Sequence, residues 1–199
     1  VGDWDRHDDQ WRWAEFDKKE KGNLYQPIPR DRDQVFFVND GIIPKIAARK
    51  WALPKVEGFD EEVDWAPGLS DNARFFDRTF MNEPSWKEWQ QEITFLQQHL
   101  TDEVIESALN QWPEQVRALS AESVMKGLKS RRESMDSYAR ELYLRLSKEV
   151  EILGSDKHEY FLIDQLNERE TMVTVNKRKK DGEIEQVIYE RLFNSDDAK

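Results

Sequence analysis

Residues Val1–Phe37 read VGDWDRHDDQWRWAEFDKKEKGNLYQPIPRDRDQVFF, and the order of their parts sets how the remainder is understood. Trp11, Trp13 and Phe16 alternate with Arg12 and Glu15 closely enough for a strand, because a period of two collects apolar side chains on one face. Asp17 to Asn23, ending in Gly22 and Asn23, supplies turn chemistry. Leu24, Tyr25 and Ile28 form a second strand, which Pro27 and Pro29 confine to a sheet edge or a loop entry. One acidic loop therefore precedes the hairpin and another follows it. The hairpin is expected to bring Asp5 and the pair Asp31 and Asp33 to the same end.

Phosphoryl transfer of the kinase type uses parts in that order. One carboxylate accepts the proton of the substrate hydroxyl, an amide or carboxylate a few residues later holds a metal, and a carboxylate beyond a hairpin holds Mg²⁺ against the phosphates. The segments Asp3-Trp4-Asp5-Arg6-His7-Asp8-Asp9-Gln10-Trp11 and Ile28-Pro29-Arg30-Asp31-Arg32-Asp33-Gln34-Val35-Phe36 resemble the catalytic end of the atypical kinases of the CotH (spore-coat) type. That family's pattern runs N-x-D-x-H-x-x-N, a hairpin, then I-P-x-D-x-D-x-x-F. By this resemblance Asp5 is the expected proton-accepting carboxylate. Gln10, Asp31 and Asp33 are the expected metal site, for Mg²⁺ or Mn²⁺ with ATP. Gln10 is one methylene longer than the family's Asn, and Phe37 stands where the family's second loop usually has Gly. A kinase also needs an N-terminal lobe with a phosphate-covering loop and a lysine, whereas these 199 residues open at the catalytic loop itself. The chain thus reads as part of a longer parent polypeptide and is expected to be inactive alone. The resemblance also implies a bacterial envelope or surface setting, with a cytoplasmic one left open.

A plainer account of the same loops is that Asp-rich segments with Arg neighbours form surface ion pairs and turn hydrogen bonds. It leads to a second expectation, a non-catalytic scaffold or connector domain of a large bacterial surface protein. Abundant Trp suggests a third, a glycan-binding module, although Trp86, Trp89 and Trp112 lie at helical spacing and suit a core.

The chain of 199 residues carries 41 acidic and 30 basic side chains, a net charge of −11. Phosphate backbones are drawn to Lys/Arg patches, so no nucleic-acid partner is expected. No apolar run approaches about twenty residues, so no transmembrane segment is expected. The absence of Cys excludes disulfides and thiolate metal sites. His7, His99 and His158 show no ligand spacing.

From Val38 to Leu69 the chain reads as irregular, with Ile42 to Trp51 a short helix or apolar anchor, and Ile42, Ile43, Ile46 and Trp51 are expected to bury against the helices. A helical lobe of about four helices follows. The first runs through Ala73, Phe76, Phe80 and Met81. The second opens on a Ser85/Glu88 capping box, and the third begins at Thr101, with Asp102 and Glu103 at its positive end. The last runs from Ser120 through Leu146, roughly 40 Å at about 1.5 Å per residue. Arg131 and Arg132 fall in its apolar stripe. They are the candidates to neutralise Asp5 or Asp31 or to contact a nucleotide phosphate, because a guanidinium fork binds carboxylate and phosphate bidentately; the CotH-type kinases look similar here too. Beyond Val150 alternation replaces the helical period, and four strands are expected, beginning with Glu151 to Leu153. The expected architecture is α+β: a kinase-like loop and hairpin and a helical lobe over 1–150, then an antiparallel β meander over 151–199.

Overall fold

Alternating residues build the hairpin as expected. In the computed structural model, which describes residues 2–18, 22–155 and 157–198, β1 (Trp11–Lys18) pairs antiparallel with β2 (Gly22–Pro29) in the register Trp11↔Pro29 to Lys18↔Gly22. The tip of the turn, residues 19–21, lies outside the described residues. A short helix α1 (Ile42–Ala47) and a single turn α2 (Ala66–Leu69) follow. Next come α3 (Arg74–Met81), α4 (Trp86–His99), α5 (Asp102–Leu109), α6 (Glu114–Glu133) and α7 (Met135–Leu146). The chain closes with a three-stranded antiparallel meander, β3 (Glu159–Gln165), β4 (Glu170–Arg178) and β5 (Ile184–Asn194), in sequential order. The fold is mixed α+β. Among the described residues no helix is long and apolar enough to cross a membrane.

Three expectations are corrected. The long helix assigned to Ser120–Leu146 starts earlier, at Glu114 behind Pro113, and is two helices. Ser134 has ψ of 6°, far from the roughly −42° of an α-helix, so the chain turns there while the apolar period runs on. Glu151–Leu153 is not a strand. Pairing begins at Glu159, opposite Lys177, and the Ser155 amide and hydroxyl donate to the Glu159 carboxylate at 3.0 and 2.6 Å. Finally, Ile42, Ile43, Ile46 and Trp51 are 79, 81, 51 and 77% exposed rather than buried.

The core forms where α5 crosses α6. Ile105 and Leu109 pack on Ala121 and Val124, with Phe36, Phe59, Leu100 and Trp112 around them. Gly127 is required here: a Cβ would lie 2.5 Å from the Phe59 ring, so only glycine lets the 57–62 segment approach α6. Trp86 and Trp89 pack on Tyr143 with centroids 5.3 and 5.9 Å apart, and Trp112 on Phe36 at 6.0 Å. These three Trp residues are half-buried and pack on the core from its edge. The hairpin rests on α3 through Trp11 stacked on Phe76 at 4.6 Å and Trp13 against Phe80 at 5.1 Å.

A buried cation, Arg191, ties the meander to the helices. Arg191, 5% exposed, donates to the carbonyls of Asn82 and Glu83 at 2.7 and 2.6 Å and to the Tyr143 hydroxyl at 3.2 Å. Asp197 adds an ion pair with Arg140 at 2.5 Å and accepts, through its backbone carbonyl, from the Ser147 hydroxyl at 3.2 Å.

Candidate functional site

The first acidic loop is a run of turns. The His7 amide donates to the Asp5 carbonyl at 2.9 Å, and the Gln10 amide to the His7 carbonyl at 3.1 Å, closing a 3₁₀ turn over Asp8–Gln10. The second loop leaves β2 with its Arg30 amide donating to the Gln10 carbonyl at 2.8 Å. The hairpin therefore seats the two loops side by side, as its register requires.

Side chains complete the junction. Gln10 is 5% exposed. Its NH₂ donates to the Asp5 carboxylate at 3.2 Å, and its carbonyl oxygen accepts from Arg32 at 3.3 Å. Only this orientation of the amide satisfies a carboxylate on one side and a cation on the other. The same Arg32 nitrogen donates to Asp3 at 2.8 Å, and the Asp3 side chain is 7% exposed. The guanidinium also lies 4.6 Å from the centre of the Trp11 ring. Asp3, Arg32, Gln10 and Asp5 thus form one polar chain across both loops.

In the Asp31-Arg32-Asp33 triplet it is the arginine that turns toward the first loop. Asp31 and Asp33 are exposed, and among the described residues neither makes an ion pair. Asp31 has φ of +47° and Phe36 φ of +64°. Left-handed backbone is tolerated by Asp but is uncommon for a bulky residue. At Phe36 the ring compensates, lying edge-on to Phe59 at 4.9 Å within the α5–α6 core. The position after it, where the resembled family has Gly, is Phe37, whose ring meets Trp4 edge-on at 6.2 Å.

Carboxylate and amide oxygens are hard donors of the kind Mg²⁺ takes. The arrangement does not gather the expected three, however, because the Gln10 carbonyl is engaged by Arg32. Among the described residues no group of three or more His, Asp or Glu could hold a metal ion.

The first loop is also pinned from below. Arg6 donates two hydrogen bonds of 2.6 Å to Asp77 of α3, whose side chain is 0% exposed. Burial pushes the Asp77 carboxyl above its ordinary range, against the opposing pull of Arg6. Sequence reasoning missed this pair and Arg32. A signal for Asp77 exists: it lies four residues beyond Ala73, on the apolar face of α3, where an unpaired charge is rare.

Arg131 and Arg132 do not reach Asp5 or Asp31. Arg131, 8% exposed, donates to the carbonyls of Asp60 at 2.7 Å, Glu62 at 3.3 Å and Gly58 at 3.5 Å, with its guanidinium 4.3 Å from the Phe59 ring centre. Arg132 pairs with Asp102 at 2.8 Å and bonds the Leu100 carbonyl at 2.8 Å. Both arginines do line a cavity of about 570 Å³ together with Asp3, Arg6, Trp11 and Arg32. Comparison of the chain with protein-family models, curated proteins and solved structures found no match.

Proposed function

We propose that the chain carries the catalytic end of a kinase-like phosphotransferase of a bacterial envelope or surface protein, one that moves phosphate from a nucleotide to a hydroxyl. The observation that carries this reading is the junction of the two acidic loops at one end of the hairpin, made by the Arg30–Gln10 backbone bond and the Asp3–Arg32–Gln10–Asp5 chain. In this reading Asp5 accepts the hydroxyl proton, and the Gln10 amide orients it. Arg32 offsets the mutual repulsion of the surrounding carboxylates. Asp31 and Asp33, exposed and without ion-pair partners among the described residues, would hold Mg²⁺ or Mn²⁺, whose charge offsets that of the phosphates.

Calorimetric titration of Mg²⁺ or Mn²⁺ with ATP tests the assignment, using the intact chain and an Asp31→Ala/Asp33→Ala variant. Weak binding that the variant loses is expected, with no turnover by this chain alone. Indistinguishable titrations would remove the metal assignment. A non-catalytic connector domain is the second reading, favoured by the engagement of the Gln10 carbonyl and the lack of a three-residue metal group among the described residues.

A further inference from the structure

A ridge of apolar side chains stands out from the surface beside a cleft walled by carboxylates. Ile42, Ile43 and Ile46 of α1, Trp51 after it and Val38 before it are between 51 and 81% exposed. Single exposed apolar residues need no explanation, but a contiguous set on one short element does. The ridge is held in place. The Asn39 side chain donates to the Val56 carbonyl at 2.8 Å and the Pro44 carbonyl at 3.4 Å, and the Leu53 amide bonds the Ala47 carbonyl at 2.8 Å.

Between α1 and the 57–64 segment lies a cleft of about 440 Å³, with Asp40, Glu57, Asp60, Glu61, Glu62 and Asp64 in its walls. Lys45 and Arg49 are the basic residues there, Arg49 facing Asp64 at 3.7 Å, so carboxylates outnumber cations in its walls. The buried Arg131 gathers the carbonyls of Gly58, Asp60 and Glu62 from beneath. That fixes the backbone of the acidic segment while Asp60, Glu61 and Glu62 stay exposed.

We infer that this face docks a polypeptide segment carrying large apolar side chains flanked by Lys or Arg. The ridge takes the apolar anchors, and the preformed acidic wall takes the cations. Charge complementarity selects this occupant. An anionic lipid surface would be repelled by the same wall, and a second copy of this chain would bring its own net charge of −11 to it. The inference does not depend on phosphotransfer, and its test uses neither nucleotide nor metal.

The test is fluorescence anisotropy with a labelled peptide in which two leucines are flanked by arginines and no hydroxyl is present. Two control peptides replace each Arg by Glu or each Leu by Ser. The arginine peptide is expected to bind. Glu61→Lys/Glu62→Lys should weaken it about tenfold or more, and Ile43→Ser about fivefold, while the equally charged change Glu151→Lys/Glu168→Lys on the C-terminal segment shifts it less than about twofold. All the substituted side chains are exposed, and circular dichroism checks that each variant stays folded. Equal binding of the Glu-substituted or Ser-substituted peptide, or equal loss from both charge-reversal pairs, overturns the inference. So does no binding of the arginine peptide, including the case where the ridge instead mediates flotation with phosphatidylglycerol vesicles or self-association that Ile43→Ser abolishes.

Discussion

At the scale of single residues, Arg6 and Asp77 matter most, because a carboxylate with no exposed surface depends on its one cation. Arg6→Ala is expected to lose about 3–5 kcal/mol of stability in urea unfolding, since it leaves that carboxylate buried and unpaired. Asp77→Asn should lose less, because a neutral amide of the same shape still accepts from the guanidinium. Equal stability of Arg6→Ala and wild type would show that water reaches the site. This pair was illegible in the sequence because its members are 71 positions apart, and nothing in the pattern of either loop or helix names a partner so distant. Arg32 was hidden differently. Flanked by two aspartates that matched a metal pattern, it read as filler, whereas its fork reaches Asp3 and Gln10.

At the scale of elements, local chemistry carried the reading well. The Ser85 hydroxyl accepts from the Glu88 amide while the Glu88 carboxylate accepts from the Ser85 amide, at 3.4 and 2.7 Å, as the three-residue spacing implied. The Ser85 amide, and then the Ser85 hydroxyl donating to the same carboxylate at 2.7 Å, hold the Glu88 carboxyl below its ordinary value of 4.5. A lowered carboxyl stabilises the fold above that ordinary value and loses its effect as pH falls through the lowered one. Ser85→Ala should therefore lose about 1 kcal/mol at neutral pH, and the gap from wild type should narrow without closing on acidification below pH 4.5, as followed by thermal melts, because the variant keeps the amide bond to the carboxylate and loses the hydroxyl's. The joint between α6 and α7 was not legible, because apolar residues keep step across Ser134 and periodicity alone cannot register one changed ψ. Gly127→Ala belongs to this scale too. Overpacking against Phe59 is expected to remove about 1–3 kcal/mol, more than the roughly 1 kcal/mol gained in helix propensity. The variant should lower the melting temperature.

At the scale of the whole molecule, the meander and the helices communicate through Arg191. Arg191→Ala is expected to lose at least about 3 kcal/mol, from charge-assisted bonds to two carbonyls and a hydroxyl. Hydrogen exchange should quicken in β3, β4 and β5 while α5 and α6 keep their protection. Uniform quickening would mean that sheet and helices unfold as one body. The mixed α+β class and the antiparallel sheet were visible in the change of period near residue 150. The docking was not, because a single arginine in an alternating strand looks like any outward-facing cation.

The hairpin reaches α3 through Trp11 and Trp13 near its base, whereas Phe16, Leu24 and Tyr25 toward its far end are 46 to 54% exposed. A ribbon gripped at the root works as a lever. Torque applied at the outer end would reach Trp11, and through it the Arg32 guanidinium 4.6 Å from its ring and the neighbouring Arg30–Gln10 bond. A load on that handle would thus fall on both acidic loops together.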